Sequence, residues 1–379
     1  MKFVDEFRDP QMARRVLERI HAVVEEIPTT AQRPLQIMEV CGGHTHSIFR
    51  YGLEELLPDK IEMVHGPGCP VCVLPMGRVD DCVAIAEQPD VIFTTFGDAM
   101  RVPGSKKSLQ QANSDGCDVR MVYSPMDALN IARKNPHKNV VFFGLGFETT
   151  MPSTALTLLQ ADREGITNFS LFCNHITIIP TIKAILDSPD MVIDGFLGPG
   201  HVSMVIGKAP YDFIASHYKR PLVIAGFEPL DILQSMLMVV EQIRDGKALV
   251  ENQYKRIVPE QGNNNALQAV GEVFELREFF EWRGLGSIDH SGVRIREKYA
   301  RFDAERLFAV EPAHVADPKA CQCGEVLKGV LKPWECKLFG EQCNPETPIG
   351  ALMVSTEGAC SAYYSYGKID VKQAVSSTE

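Results

Sequence analysis

Three groups of residues in this chain have types and spacings that can do chemistry. The latest is C-x12-C-x6-C-x16-C: Cys323, Cys336, Cys343 and Cys360. Four thiolates complete a closed site for zinc or for an iron–sulfur cluster. Structural zinc sites usually come as paired C-x2-C knuckles, and these longer, unequal spacings favour a cluster held by loops. Cys321, two residues before Cys323, competes as the first ligand. The plainer alternative is a set of unrelated buried thiols, since free cysteine is a common core residue.

The second group is HGPGCPVC at 65–72, with Cys69 and Cys72 in a C-x2-C pair. Such a pair can form and break a disulfide. Glycine and proline make its turn stiff, and turn dipoles or His65 would lower a thiol pKa and raise the thiolate fraction. Its competitor is half of a metal site. The third group is MEVCGGHTH at 38–46, where Cys41 precedes two glycines, His44 and His46. A cysteine beside histidine can bind a soft transition metal, or be activated as a nucleophile. For either histidine a capping or core hydrogen-bond role competes. Asp98, Glu148, His175, His201 and Glu228 follow other apolar runs. Each can cap a helix, and together they can line one cleft.

Parallel strands must position these groups. From 35 to about 233, short runs apolar on both faces alternate with helical stretches: LQIMEV, IEMVH, VIFTTF, VRMVY, VVFFGL, FSLFC, GFLG and LVIAGF. That is the pattern of helix-covered parallel sheets, whose functional turns follow the strand C-termini. HGPGCPVC echoes LGPGHVSM, MEVCGGHT echoes LFCNHIT, and TTFGDAM echoes IAGFEPL. The echoes suggest a duplication, against which stands the ordinary use of Gly-Pro-Gly in turns.

The expected fold class is therefore α/β, with two similar doubly wound parallel-sheet units flanking a cleft and a C-terminal cysteine-rich iron–sulfur domain. The expected partition is 1–34 as an N-terminal helix packing on the C-terminal region, 35–139 as the first α/β domain, 140–240 as the second, and 241–379 as the C-terminal domain. Residues 368–379 read as frayed.

Bulk properties narrow the function. The 379 residues suit two to three domains of ~150 residues. A net charge of −11 disfavours a nucleic-acid partner, which needs a basic face. The longest uncharged run is too short and too polar to span a bilayer. The N-terminus lacks a signal-peptide core, so a cytoplasmic location is expected, with no membrane partner. Eleven cysteines in such a compartment point to metal or redox chemistry rather than to a disulfide framework. FGLGFE does not complete a dinucleotide fingerprint, and no P-loop is present.

CGGHTH at 41–46, GPGCPVCVLPMGR at 66–78, FGDAMRVPG at 96–104, GFETTMP at 146–152, PGHVSMVIG at 199–207 and the late cysteine pattern together resemble the HypD family. These are maturation factors for the iron centre of nickel–iron hydrogenases. The resemblance implies a scaffold that works with a small HypC-type partner. On it an iron ion acquires two cyanides and one carbon monoxide before delivery to the hydrogenase large subunit. A HypE-type partner, working with a HypF-type one, supplies cyanide from a carbamoyl-derived thiocyanate. Carried over by motif, Cys41 is the chain's iron ligand, beside a cysteine of the HypC-type partner. Cys69 and Cys72 are the redox-active pair and further iron ligands. Cys323, Cys336, Cys343 and Cys360 hold a [4Fe-4S] cluster, with Cys321 leaving the first ligand open. Electrons are expected to pass from the cluster to Cys69–Cys72 and on to the iron, with His44 orienting a thiol or the incoming ligand.

The expected activity is that of an assembly scaffold with redox chemistry rather than of a turnover enzyme. One alternative is a stand-alone thiol–disulfide oxidoreductase using Cys69 and Cys72. A second is a zinc-stabilised binding module.

Overall fold

The computed structural model describes residues 5–367, apart from 31, 190, 311–314 and 317. All eight apolar runs form parallel strands: β1 (Leu35–Glu39), β2 (Ile61–His65), β3 (Val91–Thr95), β4 (Val119–Met121), β5 (Asn139–Gly146), β6 (Phe169–His175), β7 (Gly195–Pro199) and β8 (Leu222–Ala225). The strand β9 (Val250–Asn252) was not expected. β3 and β6 are buried along their whole length, as sheets covered on both faces require.

The strands make two sheets, one ordered β2-β1-β7-β8-β9 and the other β4-β3-β5-β6. The expected division at 139/140 does not separate them. Residues 37–39 of β1 pair with 195–197 of β7, so the first sheet is built from both sides of that boundary. The whole second sheet is inserted between β2 and β7. Both sheets reverse direction beside their first strand, at β1/β7 and at β3/β5. Crevices beyond strand ends at such switch points are where open α/β sheets bind ligands.

The echoes do not map onto the two sheets. The two Gly-Pro-Gly turns follow β2 and β7, which flank β1 within one sheet. They are a pair of similar turns on either side of Cys41.

The N-terminal helix Pro10–Glu25 starts on Asp9, whose carboxylate accepts from the Gln11 and Met12 N–H groups, with Pro10 in its first turn. It packs on the helix Pro229–Arg244 and the five-stranded sheet, not on the C-terminal region as expected. The reason is its apolar stripe. Ile20, Val23 and Val24 are fully buried against a layer that includes Ile232, Leu233 and Met236, each contributing roughly 1.5–3 kcal/mol.

After β9 come two small antiparallel pairs. These are β10 (Phe274–Leu276) with β13 (Val293–Ile295), and β11 (Phe279–Trp282) with β12 (Gly286–Asp289). Among the described residues, the cysteine-rich stretch beyond them has no core of its own. Cys323, Cys343, Leu352, Met353 and Cys360 share one apolar core with Val64, Cys69, Cys72 and Leu74. Its helix Ala359–Tyr366 packs on the helix Gly42–Arg50. Residues 368–379 lie outside the described residues.

Candidate metal and thiol centre

β1 ends two residues before Cys41, and Cys41 caps the helix Gly42–Arg50. Its own N–H donates to Glu39 Oε2 at 2.8 Å. The next N–H, of Gly42, donates to the Gly68 carbonyl at 3.1 Å. This clamps the Cys69–Cys72 turn onto the Cys41 turn. The approach needs glycine at 68, because a Cβ there would stand 2.3 Å from the Cys41 nitrogen.

The thiol faces a cavity of about 290 Å³ between the two switch points, walled by Gly68, Phe147, Thr150, His201 and Glu357. Two backbone N–H groups lie close to the Cys41 sulfur. One is Gly43's, in its own helix, and the other is His201's, at the start of the helix Gly200–Ile206. Both favour thiolate. Burial opposes them, with help from the carboxylates of Glu39 and Glu357, and pushes the pKa up to about 12. A cation beside the sulfur would reverse that balance.

Glu39 is fully buried. It accepts from Thr45 Oγ1, and its Oε1 lies 2.9 Å from His65 Nδ1. His65 was expected to serve Cys69 and Cys72. It turns instead to Glu39, its register partner across the β1–β2 ladder. Its Nε2 stands 4.0 Å from Glu54 Oε2. Burial disfavours the imidazolium, but Glu39 and Glu54 outweigh it and hold the pKa at about 9. Glu54 in turn accepts from Tyr363 Oη at 2.9 Å, on the helix that begins beside Cys360.

Cys69 and Cys72 are buried behind the cavity wall, of which Gly68, Pro70 and Val71 form part. Of the three thiols expected to hold iron, Cys41 alone lines the cavity. Cys72 was expected to have a lowered pKa. Burial and then the neighbouring Cys69 thiol raise it instead. A Cβ on Gly358 would stand 2.8 Å from the Cys72 sulfur, which lies within electrostatic reach both of Glu357, in the cavity wall, and of Cys323.

Cys321, Cys323, Cys336, Cys343 and Cys360 line a second, apolar pocket. Its free volume is about 10 Å³, and the Cys321 and Cys323 sulfurs are 3.2 Å apart. Among the described residues no three His, Cys, Asp or Glu side chains stand at the spacing of a formed metal site. The donor set nevertheless suits an iron–sulfur cluster, since thiols from several loops share a pocket and Val326, Leu338, Phe339 and Met353 exclude water. Burial pushes the Cys343 thiol up. The Cys321 thiol is pushed up too, by its contact with Cys323 and then by burial. A cation bound beside Cys321 and Cys343 would take their charge and reverse that balance.

Other expected residues fall outside the cavity. His44 is fully buried, with Nε2 3.1 Å from the Ala225 carbonyl and its ring stacked on Phe227. His175 is held by Thr150 and Thr154, and Glu148 accepts the N–H of Ile178. Glu228 pairs with Arg8, and Asp98 accepts from Ser355 at 2.9 Å. His201, stacked on Phe227, is the one of this set in the cavity wall. Sequence reasoning missed Glu39 and Glu357. An acid inside the apolar run LQIMEV was a usable sign for the first. Nothing local marks the second.

The HypD family model, described as "Hydrogenase formation hypA family", matches residues 11–367. The chain is 61% identical over 371 residues to the hydrogenase maturation factor HypD of Rhodobacter capsulatus, covering 97% of this chain and 98% of the relative. It is 58% identical over 366 residues to HypD of Escherichia coli (strain K12), with the same coverage. To the hydrogenase expression/formation protein HupD of Azotobacter chroococcum mcd 1 it is 52% identical over 374 residues, covering 97% of each.

Proposed function

Because this chain belongs to the HypD family, we propose that it is a hydrogenase maturation factor, a cytoplasmic scaffold on which the Fe(CN)2CO group is assembled. The observation that carries this is the Cys41 thiol, set between two helix N-termini and open to a cavity of about 290 Å³. That is room for an iron ion with diatomic ligands and for a second thiolate from a HypC-type partner. Iron is the cargo here. Thiolates suit low-spin iron carrying cyanide and carbon monoxide, and the cation relieves the burial that keeps Cys41 protonated.

Cys69 and Cys72 act as the dithiol. Cyanide arrives on a HypE-type partner as a thiocyanate. Breaking its sulfur–carbon bond takes two electrons and yields the donor's thiolate and cyanide. The dithiol supplies both electrons as it closes to a disulfide and releases two protons. The clamp between Gly42 and Gly68 keeps that pair beside the iron ligand. Cys336, Cys343 and Cys360, with a thiol of the 321/323 pair, hold a [4Fe-4S] cluster. Bound there, it supplies single electrons. His44 positions the Cys41 turn from behind, through Ala225 and Phe227, rather than touching the cargo.

A free-standing thiol–disulfide oxidoreductase needs an accessible, acidified thiol. Burial of both cysteines behind the wall of the Cys41 cavity favours a pair that serves that cavity over one open to a separate protein substrate.

Infrared spectroscopy of the protein purified with its small partner tests the proposal. Cyanide and carbon monoxide bands are expected in the wild type and lost in Cys41→Ala. Undiminished bands in that variant would refute the assignment of Cys41.

A further inference from the structure

The pocket at 321–360 holds five thiols, and a four-iron cluster takes four. The fifth is not a bystander. The Cys321 S–H donates to the Cys323 sulfur across 3.2 Å. A Cβ on Gly350 would stand 2.6 Å from both sulfurs, so the two occupy one patch of wall and only glycine leaves them room. Their other neighbours differ. Cys323 sits beside Cys360, whereas Cys321 and Cys336 sit beside Cys343. Their anchoring differs as well. Cys323 opens the helix Cys323–Leu327, fixed by buried Val326 and Leu327. Cys321 lies half-exposed on a turn closed by its N–H on the Pro318 carbonyl, at 2.9 Å.

Resting on the reading of this pocket as the cluster site, we propose that Cys321 and Cys323 are exchangeable ligands of one corner of the cluster. Exchange breaks one iron–sulfur bond and forms another. The Cys321 proton crosses to Cys323 over the existing S–H···S contact, so charge and electron count are unchanged. When Cys321 holds the iron, Cys323 becomes a free thiol within electrostatic reach of Cys72. A short helix thus presents one ligand, and a turn carries its substitute.

Anaerobic reconstitution of the full chain with ferrous iron and sulfide tests this, read as iron and sulfide per chain and as the visible absorption of the cluster. Cys321→Ser and Cys323→Ser are each expected to keep the wild-type content. The double variant should fall to the level of Cys336→Ser. Loss of the cluster in either single variant overturns exchange, as does its full retention in the double variant. A wild type that takes up no iron, or a Cys336→Ser that keeps all of it, overturns the cluster reading itself. Should Cys323→Ser fail to fold, alkylation mapping of the loaded wild type decides. Partial labelling at both 321 and 323, with 336, 343 and 360 protected, supports exchange. Complete protection at 323 with complete labelling at 321 overturns it.

Discussion

The two sulfur centres of this protein are opposites in construction. Cys41 is a single thiol held by regular elements: the end of β1, two helix N-termini and the clamp from Gly68. Its position is fixed, yet it faces about 290 Å³ of open space. The other centre gathers five thiols from turns and short helices around about 10 Å³. Room beside a rigid single donor suits cargo that must arrive, change and leave. Crowded donors on turns and short helices suit a resident group that supplies order when it binds. The buried C-x2-C pair lies between the two, with the Cys72 sulfur in electrostatic reach of Glu357 on the open side and of Cys323 on the closed one.

That contrast breaks if the two centres answer alike to loss of a thiol. Cys336→Ser should cost the resident group and its folding free energy, on the order of 5 kcal/mol, seen as lost cluster absorption and a lower denaturation midpoint. Cys41→Ala should remove the cargo bands while costing only about 1 kcal/mol, because one small side chain leaves a wall that already borders open space. Equal destabilisation by the two substitutions would make Cys41 part of a structural site.

A second test concerns what keeps the open centre rigid. Glu39 is fully buried and stands 2.9 Å from His65 Nδ1. His65→Leu removes the basic partner of this buried pair, with an expected loss of roughly 3–5 kcal/mol. The same pair makes stability depend on pH. The folded His65 pKa of about 9 lies above the ordinary 6.5. Its contribution is therefore complete below pH 6.5 and is lost as pH rises through 9, roughly 3 kcal/mol in all. Urea denaturation from pH 6 to 10 should show that decline in the wild type and a shallower one in His65→Gln. Parallel profiles would mean that His65 is neutral in the folded protein.

How far these centres were legible in the sequence follows from the range of the interactions that build them. Seven of the eight parallel strands could be read because burial on both faces leaves an apolar run in each, whereas β4, with Met121 exposed, was legible from its apolar residues alone. Their division between sheets could not, since β1 selects β7 across an inserted sheet and no local pattern records that choice. β10 to β13, at three or four residues each, are too short to show a period. Thiol types and spacings located both centres. The pairing of His65 with Glu39 did not show, because it depends on the register of β1 against β2, and the approach of Gly358 to Cys72 did not show because it joins segments far apart in the chain. Glu357 reaches the Cys41 cavity from the C-terminal stretch, a contact visible only once the chain is folded.

The smallest expected effect bears on whether the two centres are mechanically joined. Tyr363 sits on the helix that carries Cys360, and its hydroxyl donates to Glu54, which faces His65 and through it Glu39 and the Cys41 N–H. Tyr363→Phe removes one hydrogen bond to a partly exposed carboxylate and keeps the ring that packs on Phe49. The stability loss should be about 1 kcal/mol. The telling readout is the alkylation rate of Cys41 before and after iron–sulfur reconstitution. If the hydroxyl links the two centres, reconstitution should change that rate in the wild type and much less in Tyr363→Phe. An identical change in both would show that the open and closed centres share a core without sharing this linkage, since the phenyl ring alone would then suffice to hold the helix in place.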